Sequence, residues 1–319
     1  MTPIEARGLA RTFKTRTGDV RAVRGIDVDV AEGEIVGLLG PNGAGKTTTL
    51  RMLCTLIAPT AGTAVIAGAD LASQPRLVRS RIGYVMQGGS TNEDELVLDE
   101  MVLQARLFGV SKRDALARGE ALLDALDLAG LGGRKCKQLS GGQRRRVDIA
   151  LGLIHEPGLI FLDEPTTGLD PQSRANLWDH IRRLRARGTT VVLTTHYLEE
   201  ADALCDRIFV MDHGEVVAEG TPEQLKRRIS GDVLTIEAEP AEVETVVGVA
   251  NATVSVRNHI TDDGRVHLTV EAGDQSVVPL LRALDAKGVV PDALTVKRPS
   301  LDDVFLAVTG RSLRDGDPS

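Results

Sequence analysis

The sequence predicts an α/β protein whose larger domain is built on a parallel sheet, followed by a small α+β domain of ferredoxin-like type. Three observations predict this. Short apolar strands alternate with helices over about the first two thirds of the chain, which is typical of a parallel sheet covered on both faces. A glycine-rich turn at residues 40–47 joins one such strand to a helix. Near Gly231 the composition shifts and the order of elements becomes βαββαβ.

The first domain opens with β-rich runs over residues 5–13 and 20–30, a compact apolar strand over 34–39, and a helix that begins at Lys46. Leucines spaced three and four apart predict helices between about residues 96 and 131. The alternation then resumes, and Gly188 predicts the end of one helix. The predicted elements are strand 159–162, helix 172–187, strand 190–194, helix 198–204 and strand 207–212.

The second domain is predicted to contain strands 233–239, 253–258, 265–271 and 293–297, with helices 241–249, 275–287 and 301–308. The turn at residues 262–264 is a hairpin signal. We therefore place the domains at 1–229 and 230–310, and expect the polar tail 311–319 to be disordered.

Composition excludes several functions. The 319 residues carry 38 Lys+Arg against 45 Asp+Glu, a net charge of −7, which argues against duplex nucleic acid as the main partner. The few aromatic residues (Phe 5, Tyr 2, Trp 1) argue against base-stacking platforms. No apolar run approaches the roughly 20 residues of a membrane span, and no signal-peptide core opens the chain. Three scattered cysteines predict reduced thiols in an intracellular protein: Cys54, Cys136 and Cys205.

The strongest motif is GPNGAGKT at residues 40–47, which fits GxxxxGK[ST] and lies between a strand and a helix. Gly43 and Gly45 let backbone N–H groups turn toward a β-phosphate, and the helix N-terminus adds partial positive charge. Lys46 would reach the β- and γ-phosphates, and the Thr47 hydroxyl would reach Mg²⁺. The motif predicts a P-loop that binds a nucleotide.

A second motif, LDEP, ends the apolar strand at residues 159–162 with two adjacent acids. Neighbouring side chains on a strand point to opposite sides, so the two carboxylates can serve different tasks. Asp163 would hold Mg²⁺ through water, and Glu164 would act as the general base toward the attacking water.

A third motif, LSGGQ, spans residues 139–143 and is followed by Arg144, Arg145 and Arg146. Ser140 is a natural N-cap, while Gly141 and Gly142 leave amides open to an anion. One phosphate group does not need two such sites from one chain, so we expect a dimer in which each γ-phosphate lies between the P-loop of one chain and the LSGGQ helix of the other. The arginine run is interpreted as a solvated face, with lipid headgroups or acidic partners as the alternative.

In order and spacing, these motifs resemble the ATP-binding subunits of ABC transporters over about residues 4–225. The resemblance implies a P-loop NTPase cassette with an antiparallel β subdomain and a helical subdomain at about 88–158, acting on ATP with Mg²⁺. It implies that Gln87 senses Mg²⁺ and the attacking water and abuts the membrane partner, that Asp170 crosses the dimer interface, and that His196 contacts the γ-phosphate. The implied nucleotide contacts also include Asn42, Ala44, Thr48 and Gln143, and the implied metal ligands are Thr47, Gln87 and Asp163.

The family stacks adenine on an aromatic residue after the first strand. Phe13 stands at that position, and Val23 is expected to pack beneath its ring. The alternative is that Phe13 belongs to the ordinary core.

The run SLDDVFLAVTG at residues 300–310 resembles ATPase subunits of the daunorubicin-resistance type, which serve ABC-2 exporters of drugs or lipids. This implies a separate ABC-2 type permease, a second ATPase subunit that makes a homodimer, and a place at the cytoplasmic face of the membrane. Asp302, Asp303 and Phe305 are either docking residues or part of a helix that covers its own small sheet. Two alternatives remain at this stage: an importer's motor subunit, and a non-transport ABC ATPase of translation or DNA repair.

Overall fold

The computed structural model describes residues 2–16, 18–229, 231–239, 241–262, 265–297 and 300–309. The chain divides into two compact units between Thr221 and Pro222, eight residues before the predicted domain boundary. The expected disordered tail, residues 311–319, lies outside the described residues, as do Gly310 and positions 263–264 of the predicted turn.

The first unit opens on strands β1 (Ile4–Thr15), β2 (Gly18–Val30) and β3 (Ile35–Leu39), followed by helix α1 (Lys46–Leu53). The elements that follow in chain order are β4 (Ala61–Ile66), β5 (Ala69–Asp70), α2 (Pro75–Arg81), β6 (Ile82–Val85), α3 (Val97–Leu107), α4 (Lys112–Ala125), α5 (Gly141–Leu153), β7 (Leu159–Asp163), α6 (Pro171–Ala186), β8 (Thr190–Thr195), α7 (Leu198–Leu204), β9 (Arg207–Asp212) and β10 (Glu215–Gly220).

Two sheets form this unit. The larger has the strand order β10-β9-β3-β8-β7-β6, in which every pair is parallel except β10 with β9. The smaller is antiparallel, in the order β2-β1-β4-β5. Strands β3 and β7 are buried along their whole length, because helices cover a parallel sheet on both faces. The expected α/β class with a parallel core is confirmed.

Helices α3, α4 and α5 lie between β6 and β7 in the chain and pack on one another. The Ser111 side chain caps α4 by accepting a hydrogen bond from the amide of Asp114. Ser140 caps α5 in a reciprocal capping box with Gln143. The expectation that Ser140 begins a helix is therefore confirmed.

Six elements of the described chain have no counterpart in the elements named from sequence: β4, β5, α2, β6, β10 and α8 (Pro222–Ile229). Most are too short for a clear period. Strand β6 has only four residues, and it joins the sheet because Ile82 and Val85 are buried against its neighbours.

The second unit begins with α8 and continues with β11 (Asp232–Glu237), α9 (Val243–Thr253), β12 (Val256–Asp262), β13 (Arg265–Val270), α10 (Gly273–Asp285), β14 (Ala293–Lys297) and α11 (Leu301–Thr309). Its sheet is antiparallel in the order β12-β13-β11-β14, which confirms the ferredoxin-like expectation.

Helix α8 belongs with the second unit because it packs against α11. Phe305 of α11 is buried, together with Leu301 and Val304. Phe305 therefore lies in the packing rather than free for docking, but among the described residues α11 packs mainly against α8 and not, as the second interpretation expected, over the small sheet.

Within the described residues, no helix combines the length and apolar character required to cross a membrane.

Candidate active site

The carboxyl ends of three neighbouring parallel strands form the site. The P-loop follows β3, Glu164 follows β7, and His196 follows β8. Since β3 pairs with β8 and β8 pairs with β7, these three segments leave the sheet at the same edge. Ligands of open α/β sheets bind at this edge.

The P-loop is packed from behind. A side chain at Gly45 (φ 99°) would collide with the carbonyl oxygen of Ala22 in β2, so this position needs glycine. The Lys46 side chain is buried, and its ammonium donates hydrogen bonds to the carbonyls of Gly40 (2.6 Å) and Pro41 (3.0 Å). Burial lowers the pKa of Lys46, while Glu164 and Asp163 act in the opposite direction.

Asp163 is fully buried at the end of β7. Its Oδ1 accepts hydrogen bonds from the hydroxyls of Thr47 (2.9 Å) and Thr194 (2.7 Å). Its Oδ2 has no hydrogen-bond partner among the described residues. A buried carboxylate oxygen is costly without a partner, so this atom fits the oxygen ligand set of Mg²⁺ beside the Thr47 hydroxyl.

Glu164 has only 6% of its surface exposed and a left-handed backbone with φ 43°. Such a conformation costs a residue other than glycine about 1–3 kcal/mol. Its Oε2 accepts hydrogen bonds from Gln87 Nε2 (2.8 Å) and Thr167 Oγ1 (3.1 Å). Lys46 Nζ lies 3.9 Å from Oε1. Strain at a buried carboxylate with this many partners marks a functional position.

His196 completes the cluster, with Nδ1 at 3.4 Å from Glu164 Oε2, a close approach without hydrogen-bond geometry. The approach of His196 lowers the pKa of the Glu164 carboxyl most, with Lys46 and Thr167 adding to it and burial opposing it. Glu164 is therefore held as a carboxylate at neutral pH.

A cavity of about 530 Å³ opens over this cluster. Its lining includes the predicted residues Asn42, Gly43, Ala44, Gly45, Lys46, Thr47, Thr48, Gln87 and Glu164, and also Val20, Arg21, Arg24 and His213. A second cavity of about 400 Å³ lies by the amino ends of β7 and β8 and contains none of the motif residues. The first cavity is the candidate nucleotide site.

The predicted adenine platform differs in detail. Phe13 is half-buried, and the Arg11 guanidinium lies 4.6 Å from the centre of its ring. The strand register places Val20 opposite Phe13, whereas Val23 pairs with Arg11. Val23 is 1% exposed and belongs to the core behind the P-loop. Val20 lines the cavity and Val23 does not, so Val20 is the valine beside the candidate nucleotide site.

The LSGGQ segment and Asp170 do not line this cavity. They start α5 and α6, where Asp170 caps α6 by accepting from the Ser173 amide (2.9 Å) and hydroxyl (2.6 Å). A side chain at Gly142 would meet the Ser173 hydroxyl, so the two helix starts lie against each other. One chain therefore separates these segments from its own P-loop.

The interpretation of the arginine run 144–146 as a solvated or partner-binding face is wrong at Arg145, which is buried. It is only 7% exposed. Its guanidinium donates to the carbonyls of Pro165 (2.8 Å), Met86 (2.7 Å), Asp163 (3.0 Å) and Glu164 (3.4 Å). Three consecutive helical residues point in three directions, and one of them faces inward.

Thr167 and Thr194 also belong to the site and were not identified from sequence. Thr194 Oγ1 accepts from the Glu164 amide (2.9 Å) while donating to Asp163. The only signal for Thr194 is its place at the end of β8, beside Asp163 in the sheet.

A P-loop beside a buried aspartate and a strained glutamate at the ends of parallel strands defines a nucleoside-triphosphate-hydrolysing site. Comparison with known proteins identifies the family. The ABC transporter family model matches residues 23–167, and a model described as the C-terminal domain of DrrA1-3-like ATP-binding proteins matches residues 220–309.

Curated relatives match almost the whole chain. The daunorubicin resistance ATP-binding protein DrrA2 of Streptomyces coeruleorubidus is 44% identical, with 94% of each chain covered. The doxorubicin resistance ATP-binding protein DrrA of Mycobacterium tuberculosis (strain ATCC 25618 / H37Rv) is 41% identical, covering 96% of this chain and 93% of the relative. A Nod factor export ATP-binding protein I of Burkholderia lata is 38% identical, with 99% of each covered.

Among solved structures, a dimeric ATP-binding cassette in a post-hydrolysis state, bound to ADP and Pi, matches with a TM-score of 0.63 and 28% identity, covering 68% of this chain and 98% of that one. This chain belongs to the family of ABC transporter ATP-binding proteins, in its daunorubicin-resistance branch, and is an ABC ATPase.

Proposed function

We propose that this chain is the ATP-hydrolysing motor subunit of an exporter, working as a head-to-tail homodimer with a separate ABC-2 type membrane permease. The observation that carries the hydrolytic part is the convergence of Gln87, His196 and Lys46 on the buried carboxylate of Glu164. Each of these side chains comes from a different segment. Lys46, Gln87 and Glu164 line the P-loop cavity, and His196 approaches Glu164 beside it.

ATP would bind with its phosphates against the amides and side chains of residues 42–48. The Lys46 ammonium donates to two carbonyls of its own loop and therefore lies inside the loop that would surround a β-phosphate. The adenine would stack on Phe13, with Val20 beside it and Val23 supporting the strand from the core.

Mg²⁺ would be held by the Thr47 hydroxyl, Asp163 and Gln87. The unpartnered Oδ2 of Asp163 supports this assignment. When bound, Mg²⁺ would neutralise charge on the β- and γ-phosphate oxygens.

Glu164 would take a proton from the attacking water. Its lowered pKa keeps it in the basic form, and its fixed contacts leave little freedom to reorient. Gln87 would orient the carboxylate and the water, and His196 would contact the γ-phosphate and stabilise the arrangement from the other side.

The placement of residues 140–143 and Asp170 outside the cavity supports a dimer. A γ-phosphate bound at one P-loop would be covered by the Ser140, Gly141, Gly142 and Gln143 helix start of the partner, with Asp170 at the interface. Hydrolysis would remove this shared contact and reopen the dimer.

Export is favoured over import, and transport over translation or DNA repair, by the names of the relatives, which concern drug resistance and Nod factor export. The permease would dock on α3, where Leu103 (58% exposed) and Leu107 (74% exposed) lie one helical turn apart and are followed by Phe108. Such docking would put the chain at the cytoplasmic face of the membrane. The second unit would serve regulation or dimerisation.

The test combines binding, hydrolysis and transport. Lys46→Ala should weaken ATP binding in an equilibrium titration, because its ammonium is the cation directed at the phosphates. Co-expressed with an ABC-2 type permease from its own genome, the unmutated chain should drive ATP-dependent uptake of daunorubicin or a lipid substrate into inverted vesicles, and the Lys46→Ala chain should not. Unchanged ATP affinity of Lys46→Ala would refute the P-loop role. Vesicles that hold both chains and hydrolyse ATP, but show no ATP-dependent uptake, would refute the exporter assignment.

A further inference from the structure

Arg145 links the helix that begins with LSGGQ to the strand end that carries Glu164. It lies in the second turn of α5, and its guanidinium bonds three consecutive carbonyls, those of Asp163, Glu164 and Pro165. The Asp163 and Glu164 carbonyls belong to the two peptide units on either side of Glu164, whose backbone is left-handed. The turn that aims the catalytic carboxylate is thus fixed from behind by one side chain.

The same guanidinium also holds the segment that carries Gln87. Its Nη1 donates to the carbonyl of Met86, the residue before Gln87 (2.7 Å). Gln87 in turn donates to Glu164 Oε2. Arg145 therefore fixes the backbones of both members of the Gln87–Glu164 hydrogen bond.

Asp148 fixes the other end of that segment, one helical turn along α5. Its buried carboxylate accepts from the amides of Ser90 (2.8 Å) and Thr91 (3.2 Å). A side chain at Gly89 would collide with Asp148, so the loop is shaped to this helix. The position of α5 consequently determines where residues 86–91 lie.

We propose that Arg145 is a positioning residue for hydrolysis, which holds Glu164 and Gln87 in their reactive arrangement and makes that arrangement depend on the position of α5. This inference rests on the proposed role of Glu164 as general base. Arg145 itself touches no part of the nucleotide cavity. Its effect should appear in the rate of hydrolysis and not in ATP affinity, because the P-loop contacts are unaffected.

The experiment measures single-turnover hydrolysis of radiolabelled ATP and ATP affinity by equilibrium titration on the purified full chain. Arg145→Gln removes the charged fork, and we expect the rate to fall about 100-fold, as for small misplacements of a catalytic group, with ATP affinity within twofold. Arg145→Lys keeps the positive charge but not the planar guanidinium fork, so its hydrolysis rate should lie between those of Arg145→Gln and the unmutated chain.

The matched control is Arg146→Gln. Arg146 is the next residue on the same helix, and its guanidinium also donates to backbone carbonyls, those of Leu126 (2.9 Å), Asp127 (3.3 Å) and Gly142 (3.4 Å), none of which lies on the strand that carries Glu164. This variant loses the same charge and similar hydrogen bonds. Its melting temperature should fall as that of Arg145→Gln does, with its hydrolysis rate within threefold of the unmutated chain.

A double-mutant cycle separates positioning from general destabilisation. If Arg145 acts through Glu164, adding Arg145→Gln to Glu164→Gln should lower the residual rate no further than twofold. An equal loss in both backgrounds, or an unmutated rate in Arg145→Gln, would overturn the proposal. If Arg145→Gln does not fold, Arg145→Lys enters the same cycle. Failure of the proposed function has a different signature, namely a Glu164→Gln single variant that hydrolyses at the unmutated rate.

Discussion

Replacing Glu164 by Gln tests the centre of the proposed mechanism with the smallest change of shape. Gln keeps the volume of the side chain and one oxygen that can accept from Gln87 or Thr167, so the buried contacts of Glu164 can largely persist. The general base is lost. A positioned base contributes about 10²–10⁴-fold, which corresponds to about 3–5 kcal/mol of the barrier.

ATP binding should survive this change. Glu164 lies 3.9 Å from Lys46 and carries a negative charge near the expected position of the phosphates. Neutralising that charge removes a repulsion toward ATP, so affinity should stay the same or increase. Because binding persists while hydrolysis fails, the Glu164→Gln chain should accumulate as an ATP-bound dimer.

The assay follows phosphate release at saturating ATP and Mg²⁺, ATP affinity by titration, and dimer formation by size-exclusion chromatography with ATP. Glu199→Gln serves as the control, because it removes an exposed acid of the nearby helix α7. A Glu164→Gln rate within twofold of the unmutated chain would refute the assignment, and so would an equal loss in Glu199→Gln.

Three further predictions concern adenine stacking, the permease and pH. Phe13→Ala should weaken ATP binding about 5- to 150-fold in a titration, the equivalent of about 1–3 kcal/mol of stacking. Phe13→Tyr should bind ATP as the unmutated chain does. Tripolyphosphate, which has no adenine, should bind all three chains equally. Leu107→Glu should abolish co-purification with the permease while ATP hydrolysis by the isolated chain persists; Val290→Glu, at a similarly exposed valine (76%) of the second unit, should affect neither. The lowered pKa of Glu164 means that its charged form stabilises the fold above the pKa of the unfolded chain, about 4.3, and that this contribution is lost as pH falls through the lower folded value. Urea unfolding should therefore show a constant difference in unfolding free energy between the unmutated and Glu164→Gln chains above about pH 5, and a shrinking difference below pH 4.3.

The parts of the fold that were predictable are those with a strong local signal. Strands β3, β7 and β8 are buried on both faces, so they appear as continuous apolar runs. The P-loop and the LDEP motif are each a single unbroken segment of sequence, so each can be recognised without knowledge of the tertiary structure. By contrast, β6 has four residues, and α2 has seven, of which only Val78 is buried. Elements that short carry too little periodicity to be recognised.

Side-chain direction was the other limit. Arg144, Arg145 and Arg146 are identical in composition and adjacent in sequence, yet Arg144 pairs with Glu93 at the surface (2.8 Å) while Arg145 is buried. What determines the difference is a group of backbone carbonyls at and just after the end of β7 that face Arg145 and accept from its guanidinium, which no pattern of residues reveals. The expectation for Val23 met a similar limit, since the strand register pairs Phe13 with Val20, pairs Val23 with Arg11, and buries Val23 in the core.

Under the proposed mechanism, ATP binding and hydrolysis depend on different segments. Binding would depend mainly on residues 40–48, which are supported from behind by β2. Hydrolysis would depend on Gln87, Glu164 and His196, which come from three segments, and Arg145 on a fourth segment holds the backbones at Glu164 and next to Gln87. The fourth segment begins with the helix start that would cover the nucleotide of the partner chain. A chain built this way can hold ATP while its base is still misaligned, and it can complete the alignment only when α5 has settled. Variants should therefore fall into two groups. Substitution of Lys46 or Phe13 should change ATP affinity, whereas substitution of Glu164, Gln87 or Arg145 should change the hydrolysis rate. A substitution among these that changed affinity and rate equally would contradict this separation of the two functions.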